Sequence, residues 1–306
     1  MNAIVCENLT RRFGRTPALQ ELTLTVPEGS IYALLGPNGA GKTTTLKLLL
    51  NLLRPSRGTA RVLGLASTAL RPADFRRIGY VSEDQLLPEW MNVAQLLAYC
   101  RPFYPQWDDA LAARLRKQFD LPSDRALKHL SRGMRMKAAL LSTLAYRPEL
   151  LVLDEPFGGL DPLTRDDFVH GLLELAGDDR PRTVLLSTHD LDDIERLADH
   201  VAFLAESKLL LAEPADALRG RFRQIELTGT APAACAAANR PAAWLGWREP
   251  SPTVVQFVDS SYVGGRTEAA LSVRFPGARL EVRPMTLRQI FLALAREQRA
   301  AAQEAA

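Results

Sequence analysis

The stretch "IYALLGPNGAGKTTTLKLL", Ile31–Leu49, decides the fold. Five apolar residues, Ile31–Leu35, form a run long enough for one buried strand. "GPNGAGKT", Gly36–Thr43, then fits the spacing G-x-x-x-x-G-K-[ST] and opens a helical pattern, "KTTTLKLLLNLL", which stops before Pro55. The residue types suit polyphosphate. Gly36, Gly39 and Gly41 let the backbone wrap closely enough for its N–H groups to meet phosphate oxygens. Lys42 neutralises the terminal phosphates, and Thr43 offers a hydroxyl to Mg²⁺. A strand before and a helix after is the context this loop requires.

Further buried strands are expected at "LLVLD" (150–154), "TVLLS" (183–187) and "VAFLA" (201–205), with helical segments between them. That alternation implies a parallel sheet covered by helices. In such a sheet ligand groups gather at the carboxyl ends of strands. Asp154 and Glu155 end one strand in "LLVLDEP"; Asp154 is placed to hold Mg²⁺ through water and Glu155 to polarise an attacking water. His189 follows another strand in "LLSTHD" and can reach the terminal phosphate.

The composition excludes little else. The 306 residues suffice for one large or two ordinary domains, and a net charge of +3 is too small to argue for a nucleic-acid protein. Cys6, Cys100 and Cys235 are odd in number and far apart, so neither a disulfide framework nor a metal spacing is expected and a reducing setting is the default. The N-terminus lacks the long apolar core of a signal peptide, and no apolar stretch approaches bilayer length. Work at a membrane would need another chain to do the spanning.

Upstream, residues 1–30 alternate apolar and polar positions and read as antiparallel strands. Residues 75–128 hold one short strand, "IGYVS", then helical segments broken at Pro102, Pro105 and Pro122. Near residue 220 the texture changes to an Ala/Pro-rich stretch and short strand-like runs, "RQIELTG", "TVVQFV" and "LEVRP". A last helix, "TLRQIFLALAREQ", precedes an alanine-rich tail expected to fray. Two domains are expected, 1–218 and a small α+β extension at 219–306.

"LSRGMRM", Leu130–Met136, reads as a helix start with Ser131 as N-cap and an apolar run, Ala138–Ala145, behind it. The helix is poorly made for standing alone. Gly133 costs propensity, Met134 completes no capping box, and Arg132, Arg135 and Lys137 crowd the positive end of the dipole. These choices suit an anion that arrives from outside.

Taken in order, the P-loop, "LSRGM", "LLVLDEP" and "STH" resemble the nucleotide-binding subunit of an ABC transporter over residues 1–218. With "FYPQWD" and "FGGLDP", the likeness is greatest to the ATPase chains of ABC-2-type and antibiotic-resistance exporters. The resemblance implies an α/β P-loop ATPase with a mixed core sheet, an antiparallel β subdomain and a helical subdomain near 85–148. It implies ATP and Mg²⁺ as ligands. Pro37, Asn38, Ala40 and Thr44 complete the nucleotide-binding set around Gly36, Gly39, Gly41, Lys42 and Thr43. Two subunits are expected head to tail, so that Ser131 and Gly133 of one cap the ATP of the other.

Other positions carry over singly. Phe13, in "RRFG", matches the aromatic that stacks on adenine, although a core role is open to it. Asp161, in "FGGLDP", matches the loop that lies near the partner's site, and a helix N-cap is its other reading. Two departures stand out. Met134 replaces the usual signature glutamine, and Glu83, in "IGYVSED", replaces the usual loop glutamine, with Gln85 two residues on; by position Glu83 is taken as the Mg²⁺ or water ligand.

The aromatic stretch 86–108, with Trp90, Phe103, Tyr104 and Trp107, is expected to receive helices of a polytopic permease, or else to form a small local core. The resulting expectation is an ATP-hydrolysing motor at the cytoplasmic membrane face. It would pair with itself or a similar ATPase, drive export through a separate permease, and bind no nucleic acid. The alternative is a soluble ABC-type ATPase that remodels a ribosomal, DNA or cofactor-assembly complex. The 219–306 region reads as regulatory, dimer-stabilising or a packing appendage.

Overall fold

The computed structural model describes residues 1–176, 182–190, 194–195, 197–229 and 240–304. Cys235 and most of the Ala/Pro-rich stretch lie outside them.

Two compact units divide the chain near Ala212/Glu213. The first begins with a long antiparallel pair, β1 (Asn2–Phe13) and β2 (Thr16–Pro27), as the alternation predicts. Strands β4 (Arg57–Val62) and β5 (Leu65–Ala66) extend it into a sheet of order β2-β1-β4-β5. The central sheet has the order β10-β9-β3-β8-β7-β6, with β3 (Ile31–Leu35), β6 (Ile78–Ser82), β7 (Leu150–Asp154), β8 (Thr183–Thr188), β9 (His200–Ala205) and β10 (Lys208–Pro214). β6, β7, β8, β3 and β9 run parallel. Every residue of β3, β7 and β8 is buried, which explains why they read as unbroken apolar runs rather than alternation. One face, through Tyr32, Leu34, Val152, Leu185 and Leu204, shares a core with α1 (Lys42–Leu49) and the antiparallel sheet.

Helix α1 ends at Leu49 instead of running to Pro55. Asn51 takes a left-handed backbone, φ 56°, and the amides of Leu52 and Leu53 fold back onto the Lys47 carbonyl at 2.9 and 3.0 Å. A residue in that region closes a helix by turning later donors to its last carbonyls.

Helices α2 (Val93–Cys100) and α3 (Asp109–Gln118) both pack on α4 (Arg132–Leu144). The polar termini are satisfied locally. Asn92 and Gln95 form a capping box on α2, and Asp108 caps α3 by accepting from the Leu111 amide at 2.8 Å. Helix α5 (Pro162–Ala176) follows β7, and its Asp167 pairs with the buried Lys137 of α4 at 2.6 Å.

The second unit contains α6 (Ala215–Arg221) and an antiparallel sheet of order β12-β13-β11-β14, formed by β11 (Arg223–Thr228), β12 (Trp244–Ser251), β13 (Val254–Asp259) and β14 (Arg279–Pro284). Helix α7 (Gly264–Arg274) contributes Leu271 to a core with Ile225, Leu227, Val255, Phe257 and Phe275. Helix α8 (Leu287–Glu304) opens on a Thr286–Gln289 capping box and continues past Gln298, where a frayed tail was expected. Alanine is the best helix former, so the Ala-rich tail extends the helix. Among the described residues no helix is long and apolar enough to cross a membrane.

Candidate functional site

The loop Gly36–Gly41 joins β3 to α1 and must lie close to its neighbours. A Cβ on Gly36 would sit 2.2 Å from the Leu204 carbonyl oxygen. Gly41 has φ 104°, and a Cβ there would lie 2.6 Å from the Ala18 oxygen. Both positions therefore require glycine. The loop opens on a cavity of about 430 Å³ lined by Ala18, Asn38, Gly39, Gly41, Lys42, Thr43, Thr44 and Glu155. Ala40 is buried beneath it.

Lys42 is almost wholly buried. Its ammonium donates to the carbonyls of Gly36 (2.7 Å) and Pro37 (3.3 Å) and forms an ion pair with Glu155, Nζ to Oε1 2.9 Å. The other Glu155 oxygen, Oε2, is 2.8 Å from His189 Nδ1 and accepts from the His189 amide at 3.3 Å. Glu155 holds a left-handed backbone, φ 51°, a conformation that costs a side-chain-bearing residue on the order of 1 kcal/mol. Its amide is secured by the Ser187 carbonyl (3.0 Å) and hydroxyl (3.2 Å).

Beside it, Asp154 is buried at the end of β7. Its Oδ1 accepts from Thr43 Oγ1 at 3.0 Å and from Ser187 Oγ at 2.6 Å. The ends of β7 and β8 and the start of α1 thus bring Lys42, Thr43, Asp154, Glu155, Ser187 and His189 together. A hydroxyl and a carboxylate in contact, next to a glycine cradle with a buried ammonium, form a hard-oxygen donor set that fits Mg²⁺ and a polyphosphate. Ser187 was not singled out in the sequence, because a serine within an apolar run carries no signal of its contact.

The remaining expected residues stand elsewhere. Phe13 is half exposed at the end of β1, with the Arg11 guanidinium 4.6 Å from its ring centroid, so it is not a core residue. Ser131 caps α4 by accepting from the Met134 amide at 3.1 Å. Gly133 faces α5: a Cβ on it would be 3.1 Å from Thr164 Cγ2. Neither lines the cavity of its own chain. Asp161 accepts from the Thr164 amide (3.0 Å) and hydroxyl (2.7 Å), so it caps α5. Glu83 places its amide on the Asp154 carbonyl at 3.1 Å, but its carboxylate pairs with Arg132, not with Thr43 or Asp154. The Gln85 side chain turns back to the Ser82 amide. In the aromatic stretch, Trp90, Tyr99 and Phe103 are exposed, whereas Tyr104 stacks on buried Tyr146 with centroids 3.7 Å apart.

Residues 19–158 match the family described as ABC transporter. The bacitracin transport ATP-binding protein BcrA of Bacillus licheniformis is 32% identical over 71% of this chain and 71% of its own length. The chain belongs to the ABC transporter family. It is an ABC ATPase, the ATP-binding subunit of a transporter. The daunorubicin/doxorubicin resistance ATP-binding protein DrrA of Streptomyces peucetius is 39% identical over 68% of this ABC ATPase and 64% of DrrA. Among solved structures, an ATP-binding subunit of an ABC transporter superposes with a TM-score of 0.64 at 28% identity, covering 71% of this chain and 92% of that one. The P-loop ABC ATPase fold inferred from the sequence agrees with that likeness.

Proposed function

We propose that this ABC ATPase is the motor subunit of an exporter: two ATPase subunits close around ATP and drive a separate membrane-spanning permease from the cytoplasmic membrane face. The observation that carries this reading is the joined cluster of Lys42–Glu155–His189 and Thr43–Asp154–Ser187 at the mouth of the glycine cradle. Export is supported by relatives whose names are resistance or export proteins, DrrA and the Nod factor export ATP-binding protein I of Burkholderia lata, which is 36% identical over 66% of this chain and 67% of its own length.

In this reading the loop amides of residues 36–44 and the Lys42 ammonium hold the phosphates, and the half-exposed Phe13 takes the adenine face. Thr43 and Asp154 hold Mg²⁺, which when bound neutralises phosphate charge. Glu155 accepts a proton from the attacking water. His189 holds the Glu155 carboxylate in place and reaches the terminal phosphate. Glu155 is held by Lys42 until phosphate competes for that ammonium, so ATP entry frees the base. The exposed Ser131 and the half-buried Gly133, both away from their own cavity, present the N-terminus of α4 to the partner's ATP, with Asp161 nearby. The test is ATP hydrolysis and ATP-driven pairing in the Glu155→Gln protein. A chain that binds ATP, pairs, and does not turn over supports the reading; normal turnover removes Glu155 as the base.

A further inference from the structure

Glu83 and Arg132 lie 49 residues apart and meet as an ion pair. Glu83 follows β6, and its amide is fixed to the end of β7. Arg132 is the first residue of α4, next to the capping Ser131. A third loop closes over the pair. A Cβ on Gly158 would stand 2.6 Å from Glu83 Oε1, and one on Gly159, whose φ is 66°, would stand 2.9 Å from Arg132 Nη1. Two successive glycines therefore leave room for the pair. Glu83 and Arg132 form part of a groove of about 850 Å³, lined also by Leu86, Leu87, Arg135 and Met136. Leu86 and Trp90 beside it are strongly exposed.

Arg132 sits where a helix N-terminus repels a cation. The Glu83 carboxylate offsets that repulsion and sets the direction in which the first turn of α4 faces. We infer that Glu83 and Arg132 are a positioning pair: they tie the loop after β6 to the first turn of α4 and fix how Ser131 and Gly133 are presented. The inference rests on the proposed trans role of Ser131 and Gly133. It also assigns Glu83 a use other than metal binding.

The test compares Glu83→Gln, Arg132→Gln, Arg132→Lys and the exchange Glu83→Arg with Arg132→Glu, each first checked for parental melting temperature. The readouts are steady-state ATP hydrolysis and binding of a fluorescent ATP analogue to the monomer. Glu83→Gln and Arg132→Gln are expected to lower kcat at least ten-fold while KM and analogue affinity change less than two-fold. Arg132→Lys and the exchange are expected to recover at least half the parental kcat. The inference is overturned if Arg132→Gln keeps kcat within two-fold of parent, or if neither Arg132→Lys nor the exchange improves on the neutral variants. ATP-driven pairing of Glu155→Gln with Glu83 and Arg132 unchanged reports separately on the trans reading.

Discussion

Lys42 and Glu155 face each other across the cavity after β3, Nζ to Oε1 2.9 Å, with the far oxygen of Glu155 on His189. The carboxylate and the ammonium neutralise one another inside a pocket where an unpaired charge is costly. In the proposed function, phosphate oxygens replace the carboxylate on Lys42 when ATP enters. Glu155→Gln keeps the shape and removes the proton acceptor. Turnover is expected to fall by about 10²–10⁴-fold with ATP affinity near parental, measured by phosphate release against equilibrium binding.

Lys42→Ala removes the cation and leaves Glu155 with His189 alone. ATP affinity is expected to weaken by at least about ten-fold, equivalent to about 1.4 kcal/mol, in a titration with a fluorescent analogue. Unchanged affinity would separate Lys42 from the phosphates.

Ser187 donates to Asp154 at 2.6 Å from a fully buried position, and Thr43 is the other donor to the same oxygen. Ser187→Ala leaves the carboxylate less firmly aimed, a loss of about 1–3 kcal/mol for a buried charged acceptor. The Mg²⁺ concentration that half-activates hydrolysis is expected to rise about ten-fold, while analogue binding in EDTA stays parental. An unchanged Mg²⁺ curve would leave Ser187 with a purely structural part.

Asp108 caps α3 and pairs with Arg147, Nη2 to Oδ2 2.6 Å. The Leu111 amide, and then Arg147, hold its carboxyl below the ordinary value of 3.8. A lowered folded-state pKa stabilises the protein fully above the unfolded value and loses that stabilisation as pH falls through the folded one. Asp108→Ala is therefore expected to cost about 1 kcal/mol near neutrality, and the difference from parent should shrink below about pH 4. Denaturant midpoints at pH 7 and pH 3 check this; an equal difference at both would mean the ionised form contributes nothing.

The parts legible in the sequence are those in which local geometry dictates residue type. Gly36 and Gly41 are forced by neighbouring carbonyls, β7 is apolar because both its faces are covered, and Ser131 is a cap written in one residue. Contacts between distant segments were not legible. Nothing local links Glu83 to Arg132, Ser187 to Asp154, or Thr164 to Gly133. β12 escaped notice because Gly246 and Pro250 interrupt its pattern, and α7 because it opens on Gly264–Gly265, which reads as a turn.

In the proposed function ATP is enclosed between two subunits, with Ser131 of one facing the loop of the other. The most direct measurement is the mass in solution of Glu155→Gln, with and without Mg²⁺-ATP, beside the same protein carrying Ser131→Arg. The expected result is a monomer that doubles in mass only with Mg²⁺-ATP, and a Ser131→Arg protein that binds ATP yet remains monomeric. Doubling that persists with Ser131→Arg, or no doubling despite saturating ATP, would contradict it.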